Sequence, residues 1–301
     1  MTASAAPPRA SALGRPPGTD LVLMTVGVLG VSTSGPLIAA TLAPALAIAF
    51  WRNALSSALL LPYAAARHRA ELRALRGTDL RLTLLAGAAL AAHFAAWVPS
   101  LSYTSVASST ALVVMQAGWA ALFSRFLGYH VPGRAWAGMA LAVVGCIVLT
   151  GVDFSLSQRA LYGDLLALLG GVFSGLYVVV GAQVRRTVST TTYTAVCYGT
   201  CALLLLAVCL LAGVRLGGYS GDTWLKLVAL TVFAQLLGHS VFNRVLRTTS
   251  PTVVSTAILA AVWLGQTPPL AAIPALVLLL AGVAMVILSG DRRAQAGVAG
   301  S

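Results

Sequence analysis

Arg52 is the residue of this sequence best suited to chemistry, because it is a permanent cation inside an apolar stretch, 45–65. A stretch of that length can span a membrane, where an arginine costs about 2.5 kcal/mol or more and usually faces a cavity or a partner. In a cavity its guanidinium would hold an anionic group such as a carboxylate, or act as a fixed charge. The alternative is a structural role, in which the side chain reaches the membrane surface or binds helix-terminal carbonyls.

Two histidines, His93 and His239, occupy nearly equivalent places in two similar parts of the chain, and Trp97 follows the first by four residues. A histidine gains and loses a proton near neutral pH. Because Asp20 and Asp164 are expected at the ends of apolar stretches, the histidines are the candidate proton relay. The alternative is that both are hydrogen-bonded packing residues and that no proton is coupled.

Neutral polar and aromatic side chains within the apolar stretches complete the candidate site. Such groups either line a polar cavity or bond to a neighbouring helix. The predicted cavity residues are Arg52, Asn53, Trp97, Gln116, Tyr177 and Asn243. The same two alternatives stay open for Trp51, Trp119, Gln183 and Gln235.

A hinge is predicted at Gly35 and Pro36, inside the apolar stretch 21–42. Proline removes a backbone hydrogen bond one turn back, and glycine loosens the helix. The resulting kink would let the helix bend or expose backbone to a ligand. The alternative is that both residues are simply among those common in membrane helices.

The sequence carries no pattern typical of enzymes or metal proteins. It has no His-Glu-x-x-His, no Gly-x-Ser-x-Gly, no aspartate pair and no phosphate-binding glycine loop. The four cysteines lie in apolar stretches without zinc-ligand spacing and are interpreted as packing residues. We therefore expect no catalytic residue, no metal and no cofactor, and the chain is not expected to be an enzyme.

Composition places the chain in a membrane. Of its 301 residues 58% are apolar and 9% are charged, against about 25% charged residues in soluble domains. Mean hydropathy is +0.90. Ten stretches approach the length of a span: 21–42, 45–65, 82–101, 106–124, 135–151, 163–183, 193–213, 223–243, 252–265 and 269–289.

The net charge of +12 sets the orientation and does not point to nucleic acid, because the arginines lie in short connections between spans. With the N-terminus inside, the inside segments hold 15 of the 19 Lys and Arg residues, and the outside holds Arg159, Arg215 and Lys226. Both termini are therefore predicted to be cytoplasmic.

The two halves resemble each other in sequence. Segments 101–112 and 246–258 both read Thr-Ser, a spacer, then Ser-Thr-Ala and an aliphatic residue. Five spans per copy force the copies into opposite orientations, an arrangement typical of transporters. The predicted organisation is a cytoplasmic tail at 1–19, a first repeat at 20–151, a second at 162–290 and a cytoplasmic tail at 291–301.

The ninth predicted span is short. At 252–265 it reaches about 21 Å, against a hydrocarbon core of about 30 Å. Pro268 and Pro269 prevent its simple extension. It is either a thin span, a buried half-helix or a segment that does not cross.

Together the double repeat and several local motifs resemble the EamA-type family of the drug/metabolite transporter superfamily. The motifs are Phe-Trp-Arg-Asn at 50–53, the stretch 102–107, Gly-Asp-Leu-Leu-Ala-Leu at 163–168 and the stretch 238–246. Two departures are Tyr129 and Gln266, where the family often has a glutamate after Leu-Gly. The resemblance implies an all-α membrane protein of ten helices that moves amino acids or other small metabolites.

The function predicted from these features is secondary transport of small, amino-acid-like metabolites across the plasma membrane by alternating access, with export favoured over import. The alternative is a non-transporting or degenerate paralogue that acts as a structural or regulatory partner, and an integral membrane enzyme comes third. The expected partners are a small-molecule substrate and the lipid bilayer, with a homodimer left open and no nucleic acid.

Overall fold

The computed structural model describes residues 34–239, 274–275, 277–279 and 281–286. Throughout this part the chain is helical and contains no β-strand. Outside the described residues lie 1–33, 240–273, 276, 280 and 287–301. The predicted tails at 1–19 and 291–301 and the span at 252–265 are among them.

Ten α-helices and one π-helical segment make up residues 34–239, and the described residues of 274–286 are helical as well. They are α1 (Ser34–Ala39), α2 (Ala45–Arg67), α3 (Arg69–Ala74), α4 (Gly77–Ser100), α5 (Val106–Val113), α6 (Gln116–Phe126), α7 (Gly133–Leu156), α8 (Gln158–Val184), α9 (Thr190–Leu211), α10 (Gly221–Ala229) and the π-helical segment Leu230–His239.

Five of these helices, α2, α4, α7, α8 and α9, are long and apolar enough to cross a membrane. They coincide with the second, third, fifth, sixth and seventh predicted spans, so the protein is a multi-pass membrane protein. Two of them begin five residues earlier than predicted. α4 starts at Gly77, whose φ of 57° turns the chain into the helix, and α8 starts at Gln158 behind the N-cap Ser157.

The fourth predicted span, 106–124, is wrong as a single helix, because α5 and α6 are separated by a turn at Val114 and Met115. There the amide of Met115 donates to Leu112 O at 3.1 Å, three residues back, which tightens the chain out of α-helical register. The turn contains no glycine or proline that would have marked it. It packs on α8, where a Cβ at Gly171 would lie 3.2 Å from Val113 O.

The eighth predicted span, 223–243, also changes form along its length. It starts as α10 at Gly221, with the hydroxyl of the N-cap Ser220 accepting from Thr223 N at 3.3 Å. From Leu230 to His239 it is π-helical. π-Helical turns are rare and shift the angular position of every following side chain, which is why they are frequent at functional sites.

Small residues bring the helices together around α4, which packs on α2, α8 and α9. At Gly170 of α8 an added Cβ would lie 2.9 Å from Trp97 Cβ, and at Gly87 it would lie 2.9 Å from Cys197 O of α9. Lipid supplies no hydrophobic drive for helix association, so close backbone approach is the main source of packing energy. The described part of 274–286 packs on α7 in the same way, with Gly138 against Gly282 O.

Candidate functional site

Arg52 lies in the second turn of α2, about 10 Å from its start, and is fully buried. Its Nε donates to Gln235 Oε1 at 2.9 Å, and its Nη1 donates to Ser34 Oγ at 3.1 Å. The site therefore joins α2 to α1 and to the π-helical segment. Gln235 is 183 residues away in sequence.

Asn53, the next residue of α2, holds the Gln235 amide in place. Gln235 Nε2 donates to Asn53 Oδ1 at 3.1 Å, and Asn53 Nδ2 donates to Ala49 O at 2.9 Å. With its NH₂ group fixed on Asn53, the Gln235 carbonyl must face Arg52. Asn53 thus positions the amide that binds the guanidinium, and all three side chains are fully buried.

The Arg52 guanidinium also lies over the ring of Phe94 on α4, with Cζ 4.4 Å from the ring centroid. Its Nη2 has no hydrogen-bond partner among the described residues. Within the same residues no carboxylate forms an ion pair with it. A buried donor without an acceptor is rare in proteins and costs about 1–3 kcal/mol or more, so this NH₂ group is an exception that calls for an explanation.

His93 and Trp97 lie beside this cluster on α4. The His93 ring is tilted against Phe94 at a centroid distance of 4.7 Å and stacks on Trp97 at 5.7 Å. His93 Nδ1 lies 2.9 Å from Gly170 O, and because a carbonyl can only accept, Nδ1 carries the hydrogen of this bond. The other ring nitrogen, Nε2, is then the one that can accept a proton.

Two other predicted cavity residues have partners away from Arg52. Gln116 at the start of α6 accepts a hydrogen bond from Ser174 of α8. Tyr177, 5% exposed, stacks on Tyr193 of α9 at a centroid distance of 6.5 Å. Nothing tests whether they line a cavity, and both stay predictions. Asn243 lies outside the described residues.

The predicted hinge lies at a close helix contact. A Cβ added to Gly35 would come within 2.8 Å of Val106 Cγ1 on α5, so α1 approaches α5 directly here. α1 ends at Ala39, three residues before the predicted end at 42, and Pro44 precedes α2. The side chains of Pro36 and His239 lie outside the described set.

Asp164 is a correction to the sequence interpretation, which expected it at the end of a span. Because α8 begins at Gln158, Asp164 lies almost two turns inside the helix, and it is fully buried. The span was predicted from its apolar stretch, which begins at 163, so the more polar first turn of the helix from Gln158 was not included. A carboxylate buried within the protein is therefore present near the start of α8.

Ser34 and Phe94 are site residues that the sequence analysis missed. Ser34 belongs to the Ser-Thr-Ser-Gly-Pro segment at 32–36, which had been interpreted only as a hinge. Phe94 is the neighbour of His93. Its aromatic ring could have been considered as a cation–π partner for Arg52, which is on the preceding predicted span. Neither contact could be assigned without knowing how α1, α2 and α4 face one another.

A second ionised group is bound at the opposite end of α2. Glu71 on α3 accepts from the amide and the hydroxyl of Ser189, at 2.6 and 2.5 Å, and from Thr192 Oγ1 at 2.5 Å. Ser189 is the N-cap of α9, so the carboxylate lies at the positive end of that helix. Partial burial acts to raise the pKa of Glu71, but the Ser189 and Thr192 hydrogen bonds outweigh it and hold the pKa below its ordinary value.

With this geometry established, comparison with known proteins identifies the second half of the chain. Residues 161–288 match the EamA-like transporter family. The matched region starts in α8 and includes the sixth to tenth predicted spans, and it confirms the family resemblance drawn from sequence. The EamA-like part thus contains Asp164, Tyr177 and Gln235.

Two other proteins are similar to this chain over more of its length. An uncharacterized transporter of Archaeoglobus fulgidus is 24% identical over 212 residues, which are 69% of this chain and 72% of the relative. A solved crystal structure superposes with a TM-score of 0.66 at 18% identity, covering 91% of this chain and 99% of the other. At that identity the crystal structure supports the helical fold alone.

Proposed function

We propose that the protein is a secondary transporter that moves small anionic metabolites, amino-acid-like or related, out of the cell by alternating access. The observation that carries this proposal is the Arg52 guanidinium, fully buried, with Nη2 lacking a hydrogen-bond partner in the described part of the chain. The EamA-like match and the transporter among its relatives support the class of function.

The substrate chemistry follows from how Arg52 is held. Gln235 and Ser34 are neutral, and Phe94 contributes only its ring face, so no described contact cancels the positive charge. A carboxylate would supply both the missing acceptor for Nη2 and the missing charge. Arginine pairs with carboxylates through parallel N–H bonds, which favours an acidic over a cationic substrate.

Alternating access requires two bodies that move against each other. We assign these to the two predicted repeats, 20–151 and 162–290, inserted in opposite orientations as ten spans. The Arg52–Gln235 bond would link the repeats at the substrate site. Gly35 and Pro36 would form the hinge of the first span, and Trp97, Gln116, Tyr177 and Asn243 would line the path.

The orientation we propose follows the basic residues. Arg67 to Arg81 and Arg185 to Arg186 belong to connections on one side, which the positive-inside rule assigns to the cytoplasm. Both termini would then be cytoplasmic and the membrane would be the plasma membrane. A reporter that is active only in the cytoplasm, fused after Ser301, tests this assignment through its activity.

Proton coupling would use His93 and its counterpart His239. The Nδ1 hydrogen of His93 is donated to Gly170 O, so a proton would be taken up at Nε2. Placed next to Arg52, a protonated imidazole would be disfavoured until an anionic substrate neutralised the arginine. Substrate and proton binding would thereby support each other.

The test compares cells that express the protein, an Arg52→Ala variant or an Arg67→Ala variant at matched membrane levels. Arg67 is the control because it lies on the same helix, at its exposed last turn. We expect one or more acidic metabolites to accumulate in the medium with the unsubstituted protein and with Arg67→Ala, and about ten- to hundred-fold less with Arg52→Ala.

Other results separate the alternatives. Equal release from all three strains would preserve transport and remove Arg52 from the substrate site. If the metabolites that accumulate are cations, the charge argument is wrong. No difference from an empty-vector control, in either export or uptake, would favour a non-transporting paralogue.

A further inference from the structure

Five exposed arginines lie in the segment 67–81, which runs from the last residue of α2 through α3 into the second turn of α4. They are Arg67, Arg69, Arg73, Arg76 and Arg81. Arg69 and Arg73 are four residues apart on α3, which contains no buried residue. We refer to the five as the arginine cluster.

The arginine cluster lies where two spans end. α2 has 23 residues and α4 has 24, which correspond to roughly 35 Å each. The hydrocarbon core of a bilayer is about 30 Å thick. Spans of this length place the connection between them at the level of the lipid headgroups, whichever side of the membrane it occupies.

The acidic residues of the same segment do not neutralise the cluster. Glu71 is bound by Ser189 and Thr192 of α9, and its one ion-pair contact among the described residues is His68 Nδ1 at 3.5 Å. Asp79 lies in the first turn of α4, where the helix dipole favours it. In the described part of the chain no ion pair includes any of the five arginines.

We propose that the arginine cluster is a binding site for the phosphate headgroup of anionic phospholipids. Guanidinium forks match phosphate oxygens, and each basic residue at a charged membrane surface contributes about 1 kcal/mol. The Glu71 bonds to α9 fix α3 relative to the spans, so the backbone that carries Arg69 and Arg73 is held in position before a lipid arrives. The exposed Tyr63 at the end of α2 would lie against the adjoining glycerol and acyl region.

This site is separate from the proposed transport function and is tested without any substrate. Phosphatidylglycerol or phosphatidylcholine is titrated into the full chain in a neutral detergent, and bound lipid is counted by native mass spectrometry. We expect phosphatidylglycerol to bind in preference. In Arg69→Gln/Arg73→Gln its affinity should fall about 30-fold, as two lost contacts imply.

The matched control is Arg125→Gln/Arg134→Gln, which removes two exposed arginines from the connection between α6 and α7. It should keep the affinity for phosphatidylglycerol. Equal loss in both double variants would overturn a local site in favour of general surface charge. No preference for phosphatidylglycerol over phosphatidylcholine in the unsubstituted protein would overturn the proposal outright, and would leave an acidic protein segment as the partner to seek.

A second measurement does not depend on the variants. Raising the salt concentration from about 0.1 to 1 M shortens the screening length from about 10 to 3 Å. Phosphatidylglycerol binding to the unsubstituted protein should weaken several-fold, while phosphatidylcholine binding should not change. Binding of phosphatidylglycerol that is insensitive to salt would exclude an electrostatic headgroup site.

Discussion

Arg52 and Glu71 are both ionised side chains on the first helices of the described chain, yet their surroundings differ in one respect. Both carboxylate oxygens of Glu71 accept hydrogen bonds, because the amide and hydroxyl of Ser189 and the hydroxyl of Thr192 all donate to them. Arg52 is more deeply buried, but the Nη2 amino group of its guanidinium has no hydrogen-bond partner in the described part of the chain.

The difference indicates how a structural ion can be told from a binding group. An ionised side chain that joins two helices stabilises the fold most when all its hydrogen bonds are made within the protein, as at the N-terminus of α9. A binding group must retain a donor for its ligand at some cost to the stability of the free protein. By this criterion Glu71 has a structural role, whereas Arg52 has the properties expected of the substrate-binding group proposed above.

The largest effect should come from Arg52→Met, which removes the charge and keeps the volume. We expect transport of the identified substrate into proteoliposomes to fall about ten- to hundred-fold. Thermal stability should change little, because relief from burying a charge offsets the acceptors left on Gln235 and Ser34. Arg67→Met is the control. A large loss of stability without a loss of transport would reverse the assignment and give Arg52 a structural role.

The next effect should come from Glu71→Gln, with the opposite pattern. Loss of the negative charge at the start of α9 should lower the free energy of unfolding by about 1 kcal/mol, since this side chain remains 30% exposed. Transport per folded molecule should be unchanged. Denaturant unfolding in detergent measures the first quantity and proteoliposome flux the second.

The control for this variant is Asp79→Asn, a carboxylate in the first turn of another helix that has no bond to α9. A loss of flux in Glu71→Gln at full stability would mean that the connection between α3 and α9 takes part in the transport cycle. The role of Glu71 would then not be structural alone.

The pH dependence of stability should belong to Glu71. Its hydrogen bonds lower its pKa in the folded protein, so its contribution is fully present above the unfolded pKa of about 4.3 and is lost as the pH falls through the folded pKa. The stability difference between the unsubstituted protein and Glu71→Gln should therefore be constant near neutral pH and shrink below about pH 4. Both are measured in a His68→Gln background, which removes the neighbouring titrating group.

A difference that instead grew as the pH fell would mean that the folded pKa is raised. Partial burial, and not the bonds from Ser189 and Thr192, would then dominate at this carboxylate.

The smallest effect should come from Thr192→Val, which removes one of the donors to Glu71 and keeps the shape of the side chain. We expect a loss of about 0.5 kcal/mol, less than for Glu71→Gln, because the two Ser189 donors remain. Thr194→Val is the matched control, since its hydroxyl bonds only within α9, to Thr190 O. If Thr192→Val cost more than Glu71→Gln, the carboxylate would not be the centre of this contact.

Much of the helical framework was predictable because a membrane imposes it. An apolar stretch of span length has almost no choice but to form a helix, and five predicted spans correspond to α2, α4, α7, α8 and α9. The break between α5 and α6 and the π-helical segment were not predictable. Both depend on which neighbouring groups pack against the backbone and complete its hydrogen bonds. A uniformly apolar sequence does not indicate which neighbours these are.

By itself the sequence indicated a multi-pass membrane protein similar to EamA-like transporters, with Arg52 as its unusual charge. Hydropathy and composition carry that information residue by residue. Only the tertiary structure decided that Gln235, Ser34 and Phe94 surround the guanidinium, and that Glu71 caps α9. Such contacts join residues up to 183 positions apart. They depend on how whole helices rotate and approach through small residues, which no local pattern encodes.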